Sequence, residues 1–240
     1  MQRSVSIIGN SESKESTMQK FDIPAPVSAV LDIPAGRVRF IAADRADTAV
    51  EVLPADASKS RDVKAAEQIE VALRDGVLRI WAPAAKNRIL GNSGAVEVTV
   101  HLPAGSRVEA KAAAGEVRGV GRLGDVAVEV AQGPVEIDEA ATACLTVLAG
   151  DVSVGRLTGS AEITTQKGDI RIAEAVAGTV VLRTESGDIA VGAARGTSAA
   201  LDAGTGYGRI HNALRNTDGA DADLTVRATT AHGDITARSL

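Results

Sequence analysis

Gly133-Pro-Val-Glu-Ile, Gly150-Asp-Val-Ser-Val, Gly168-Asp-Ile-Arg-Ile and Gly187-Asp-Ile-Ala-Val are the runs whose reading decides the fold. They recur at about eighteen residues between Leu123 and Val191, and self-similarity at such a period marks a stacked repeat. Nine residues before each glycine stands another small residue: Gly124, Ala141, Gly159 or Gly178. The other leg of the repeat varies from eight to ten residues. A strand of set length therefore alternates with a more tolerant connection.

Side chains of a strand alternate between its two faces. Counted from the first small residue, the even offsets give Val126, Val128, Val130, then Ala143, Leu145, Val147, then Ala161, Ile163, Thr165, then Val180, Leu182, Thr184. The odd offsets give Ala127, Glu129, Cys144, Thr146, Glu162, Thr164, Val181 and Arg183. The first set is apolar or hydroxylic and the second largely polar. On the glycine leg, Val152, Val154, Ile170, Ile172, Ile189 and Val191 share a face, with Ser153 and Arg171 opposite. One turn cannot bury such columns by itself, so successive turns must cover one another, parallel and about 4.8 Å apart. The fold class expected is all-β, a parallel β-solenoid with an irregular β N-terminal part. A thin core also accounts for 2% aromatic residues beside 45% hydrophobic ones.

Each corner glycine is expected to hold a positive φ. The aspartates that follow (Asp151, Asp169, Asp188, Asp234) are expected to cap backbone N–H groups. A ladder of Asp151, Asp169 and Asp188 is also the place where a calcium ion would be sought, although Pro134 and Arg209 interrupt it.

Outward from this stretch the pattern weakens and then resumes. Residues 1–17 read as a disordered tail, with Met1 or Met18 as the start; residues 18–105 as an N-terminal β segment and cap; residues 106–240 as the regular solenoid with a C-terminal cap. Within the cap, Ala29, Leu31 and Ile33 with Gly36-Arg-Val-Arg-Phe form a degenerate first turn. Thr48–Leu53 reads as a strand and Ser60–Gln68 as the one helical piece. Ile69–Leu73 and Val77–Trp81 flank Arg74-Asp75-Gly76 as a hairpin, and Lys86–Gly94 is a loop. Val226, Ala228 and Thr230 face inward near the far end, after a polar loop at 212–223. The segment 42–101 and that loop are the candidates to cover the exposed strand edges at the two ends of the stack.

Few functional classes survive the composition. A net charge of −5 disfavours nucleic acid or an anionic membrane as partner. One cysteine, Cys144, allows no intrachain disulfide, and no apolar run of eighteen residues provides a membrane span. No signal-peptide pattern is seen, which gives a cytoplasmic address with surface display as the alternative. His101, His211 and His232 sit at outward positions without zinc spacing, and Cys144 has no neighbouring base. Asn216-Thr217-Asp218 resembles part of a pectin-cleaving motif but lies in a loop without a second carboxylate pair. Gly204-Thr-Gly-Tyr-Gly-Arg-Ile precedes a strand, where a phosphate loop needs a helix.

With its Gly-Asp-[Ile/Val] corners, Phe21-Asp-Ile-Pro, Val30-Leu-Asp-Ile-Pro-Ala-Gly-Arg-Val, Leu102-Pro-Ala-Gly-Ser and Tyr207-Gly-Arg-Ile, the chain resembles the bacterial β-strand-repeat "putative adhesin" family over residues 18–240. It looks closest to members from high-GC Gram-positive bacteria. The resemblance implies a single-stranded right-handed β-helix with no known activity and no established binding residues. Some members carry membrane anchors and belong to envelope-stress systems.

The expected function is a non-enzymatic binding or scaffold protein of unknown ligand. The partner is unknown, most simply a protein, and the oligomeric state is open. No catalytic, cofactor-binding or metal-binding residue is assigned and no cofactor is called for. Glu129, Glu162 and Arg183 on one face, and Ser153 and Arg171 on the other, are the outward residues of first interest. A surface or envelope-stress adhesin and a carbohydrate-active β-helix enzyme are the alternatives.

Overall fold

The computed structural model describes residues 17–23, 25–83 and 94–240. The expected tail lies outside the described residues except for Thr17, and so does most of the 86–94 loop. The chain opens with β1 (Thr17–Phe21), β2 (Ser28–Ala43), β3 (Thr48–Pro54), helix α1 (Ser60–Gln68), β4 (Glu70–Arg74), β5 (Val77–Trp81) and β6 (Val96–Pro103). The repeat then runs through β7 (Arg107–Gln132), β8 (Val135–Ala149), β9 (Val152–Leu157), β10 (Ala161–Lys167), β11 (Ile170–Ala175), β12 (Gly178–Ser186) and β13 (Ile189–Ala193). It closes with β14 (Ala199–Tyr207), β15 (Ile210–Ala213), β16 (Leu224–His232) and β17 (Ile235–Ser239).

These strands form two ladders back to back, joined at the corner glycines. One ladder reads β4-β5-β2-β7-β8-β10-β12-β16-β14. The other reads β1-β3-β6-β2-β7-β8-β9-β11-β13-β17-β15. All pairings are parallel except β1–β3, β3–β6 and β4–β5. Register is the one the period requires: Ile163 pairs with Leu145 below and Leu182 above, and all three are at most 1% exposed. Burial of each such side chain contributes about 1.5–3 kcal/mol. The inward columns named from the sequence are all buried, and the odd-offset residues face solvent.

The corners show why glycine recurs. Gly168 has φ +144, and a Cβ there would lie 2.1 Å from the carbonyl oxygen of Gly150. Gly187 repeats this against Gly168, at φ +154 and 2.0 Å. Close stacking of successive corners thus excludes any side chain, in addition to the backbone preference. Buried threonines close the same corners: Thr165, Thr184 and Thr230 donate to the carbonyls of Gly150, Gly168 and Gly187 at 3.4, 3.1 and 3.0 Å.

Two findings depart from a simple sequential stack. Residues 28–43, the turn read as degenerate, pair in register with 107–121 although the segment 44–106 separates the two layers in sequence. The second departure concerns the last two layers, which are exchanged. β16 and β17 pair with β12 and β13 on one side and with β14 and β15 on the other. The chain skips one layer after β13, lays down β14–β15 as the terminal layer, and returns to fill the gap. The returning loop binds along the side of the stack, where the amides of Thr217 and Asp218 donate to the Ser198 hydroxyl and the amide of Arg215 to that of Ser239.

At the opposite end the segment after β2 forms the cap. The hairpin β4–β5 and the antiparallel strands β3 and β1 extend the two ladders, and α1 packs beside β3 and β6. The hairpin turn holds Asp75 at φ 51 and Gly76 at φ 77, the two positive values a tight primed turn needs. Phe21, Ile23, Val52, Val71 and Leu73 pack partly buried against the core.

Candidate functional site

The two broad faces are built by the register. On the first, Glu129, Thr146, Thr164, Arg183 and Thr229 form one outward column, and Ala127, Cys144, Glu162, Val181 and Arg227 a second. On the other face, Glu136, Ser153, Arg171, Ala190 and Thr236 follow one another. Glu129, Glu162, Arg183 and Arg171 are exposed as expected, and Ser153 is half-buried. The structure does not gather them into one site. Glu162 pairs with Arg183 at 3.0 Å, Glu129 with Lys111 at 3.2 Å, and Ser153 and Arg171 lie on the opposite face.

The aspartates form the capping ladder. Asp151 accepts the Asp169 amide at 2.9 Å, Asp169 that of Asp188 at 2.8 Å, and Asp188 that of Asp234 at 2.8 Å. Asp234 ends the row by accepting the Arg209 amide at 2.8 Å and its guanidinium at 3.2 Å. The Arg209 amide first, and then its side chain, lower the Asp234 carboxyl below the ordinary range. One oxygen of each carboxylate is committed to the next layer, and among the described residues no cluster of three metal-ligating side chains forms.

Two of the surface depressions among the described residues hold carboxylates. One, of about 540 Å³, lies on the first face where Asp125, Ala127, Thr142, Cys144, Ser160 and Glu162 meet. Its carboxylates are engaged: Asp125 accepts the Thr142 hydroxyl at 2.6 Å and Glu162 is held by Arg183. The other, of about 750 Å³, lies between α1 and a corner, beside Pro34, Asp56, Lys59, Arg61, Asp62 and Ala114. Asp62 is buried and accepts the Ala95 amide at 3.1 Å. The Ser58 hydroxyl, then its amide, then Lys59 lower the Asp56 carboxyl to about 2. General-acid work needs a carboxyl shifted the other way.

The remaining sequence candidates stand apart from one another. Cys144 is exposed between Ala127 and Glu162 of adjacent layers. His101 is half-buried; burial first, then Arg45, lowers its pKa against the opposing influence of Glu51 and Asp47. Asn216 closes a turn onto Gly219, and Thr217 bonds Asp218. His232 lies under Tyr207, the rings parallel to within 10° with centroids 5.0 Å apart, and both are exposed. That contact is not visible in the sequence because it joins two layers: residues 207 and 232 become neighbours through the pairing of β14 with β16.

A family model for Toastrack DUF4097 matches residues 30–239. The chain belongs to that family. Solved structures are similar to this Toastrack chain across nearly its whole length. A protein from Bacteroides fragilis described as a "putative adhesin" is 15% identical, with 95% of this chain and 100% of that one covered and a TM-score of 0.52. A Parabacteroides distasonis protein of the same description is 14% identical over 92% and 97%, with a TM-score of 0.47. Another from that organism, described as a "putative lipid binding protein", is 12% identical over 93% and 97%, with a TM-score of 0.44. The likeness to the Bacteroides fragilis protein, at 15% identity, shows the fold alone. No curated protein matches the chain. No helix among the described residues is long and apolar enough to cross a membrane.

Proposed function

We propose that this Toastrack chain is a non-enzymatic binding scaffold that presents columns of outward side chains on flat, register-locked faces to a protein partner. The observation that carries this reading is the in-register alignment of outward residues through at least five consecutive layers on each face. Side chains about 4.8 Å apart on a rigid two-sheet frame lose little freedom on binding, which favours recognition of an extended surface. The carboxylates of both depressions are tied to hydroxyl, amide or cationic partners, an arrangement that supports structural over acid–base roles.

A photocrosslinking amino acid at Thr146 or Arg171, compared with one at Ser58 in the cap, tests the reading in the producing cell. Discrete adducts from the faces and none from Ser58 are expected. Turnover of a polysaccharide panel that Glu162→Gln abolishes would refute the non-enzymatic assignment. The adhesin reading of the same scaffold draws on the description of the Bacteroides fragilis relative. Cell fractionation separates it from the cytoplasmic expectation: protease-accessible protein on intact cells favours the adhesin, a pool confined to the cytosol the internal scaffold.

A further inference from the structure

Among the described residues, the terminal layer β14–β15 leaves its inward column open, where the layers beneath it are covered. Val38, Val117, Val135, Val152, Ile170, Ile189, Ile235 and Ile210 occupy one inward column. The first seven are 0–1% exposed and Ile210 is 45% exposed. Leu201, stacked on the fully buried Val226, is only half-buried. Among the described residues, β14 and β15 have strand partners on one side only. Bare edges with an apolar layer beneath them are a template for further pairing.

We propose that this end face is a homodimer interface, on which the same face of a second copy closes the stack head to head. Four observations favour a second copy over other occupants. Turning one copy to face the other reverses its strands, so the two layers meet as antiparallel strands, an ordinary continuation of either ladder. The rim carries both signs, with Asp202 and Arg209 exposed, and such a rim complements itself under a two-fold axis. The opposite end is a poorer partner surface: its edge strands β1 and β4 carry Lys20, Glu70 and Arg74, where β14 and β15 carry Asp202 alone among Asp, Glu, Lys and Arg. Contact between like ends is thereby favoured, and a pair closed in this way does not grow.

The fourth observation is area. The nine residues of β14 span ~30 Å, and two sheets ~10 Å apart with their side chains span ~20 Å. Contact of two such faces buries roughly 1,200 Å² in total, the lower bound of specific interfaces. The dimer is therefore weak and reversible, with Tyr207, 75% exposed, at its rim.

Sedimentation equilibrium of the full chain from ~1 to ~500 μM tests this, with hydrogen exchange read at both extremes. A reversible monomer–dimer equilibrium is expected, with the amides of 199–213 slowing as concentration rises. Ile210→Glu should raise the dissociation constant at least about tenfold, with Ile210→Thr a milder second variant, and Arg171→Glu on the broad face should leave it unchanged. A monomer throughout the range, open-ended filaments, or a dimer indifferent to both Ile210 variants would overturn the proposal. So would concentration-independent protection of 199–213 together with 1–16, which would show that the chain covers its own end.

Discussion

Replacing Gly168 by alanine tests the stacking directly. Its φ of +144 lies where an L-residue pays a conformational penalty of about 1–3 kcal/mol. The added methyl would also stand 2.1 Å from the Gly150 oxygen and 2.5 Å from its carbonyl carbon, so backbone of two layers must move. Overpacking of this kind costs about 1–3 kcal/mol, for a sum of about 2–6 kcal/mol. Gly76 is the internal control. It has φ +77 with nothing within 4 Å of a built Cβ, so Gly76→Ala bears only the backbone penalty of about 1–2 kcal/mol. Urea denaturation followed by far-UV circular dichroism gives both values. Hydrogen exchange across β8–β12 then shows whether the loss is local, because layers of a solenoid are coupled chiefly to their neighbours. Equal costs at the two glycines would refute the claim that corner-to-corner contact, and not backbone conformation alone, demands glycine at 168.

Leu182→Ala should lose about 2–5 kcal/mol in the same assay, while Leu148→Ala, at a site 46% exposed, should stay within about 1 kcal/mol of the parent. Thr184→Val removes the hydroxyl that satisfies the Gly168 carbonyl at 3.1 Å and should cost about 1 kcal/mol, read from the urea midpoint. Asp47 is lowered from 3.8 to about 2 by hydrogen bonds from Arg45 and then Lys20. Its folded-state pKa lies below the unfolded one, so its contribution is present above about pH 4 and is lost as pH falls toward 2. An NMR titration of the Asp47 carboxyl should show this, and Arg45→Ala should move the midpoint back up. Arg183→Ala breaks only an exposed ion pair and should change stability by less than about 1 kcal/mol.

Much of this architecture is local and so is legible in the chain. Alternation places Leu145, Ile163 and Leu182 in the core because a strand has only two faces. The Asp75-Gly76 turn and the helix at Ser60–Gln68 follow from residue chemistry within a few positions. The aspartates were legible as caps because each lies beside the corner it serves, yet the amide that each one caps belongs to another layer. The outward faces are less legible. Alternation says that Glu162 and Arg183 point out, but their pairing at 3.0 Å depends on how two layers align. The depression holding Cys144 depends in the same way on small residues of neighbouring layers meeting.

The amino-acid sequence by itself determined the period, the inward columns, the corner glycines and hence a stack of parallel turns. Tertiary structure alone decided the order of the last two turns. Residues 199–207 and 224–232 are both nine-residue strands ahead of a glycine corner, so the repeat fits either order. Intercalation places Val226, Ala228, Ile235 and Ala237 between two layers and leaves Asn212 in the exposed one. It also carries the aspartate ladder unbroken from Asp188 to Asp234 and ends it on the positive charge of Arg209. The more apolar turn is thereby covered on both sides, a gain summed over many contacts that no local pattern in the sequence expresses.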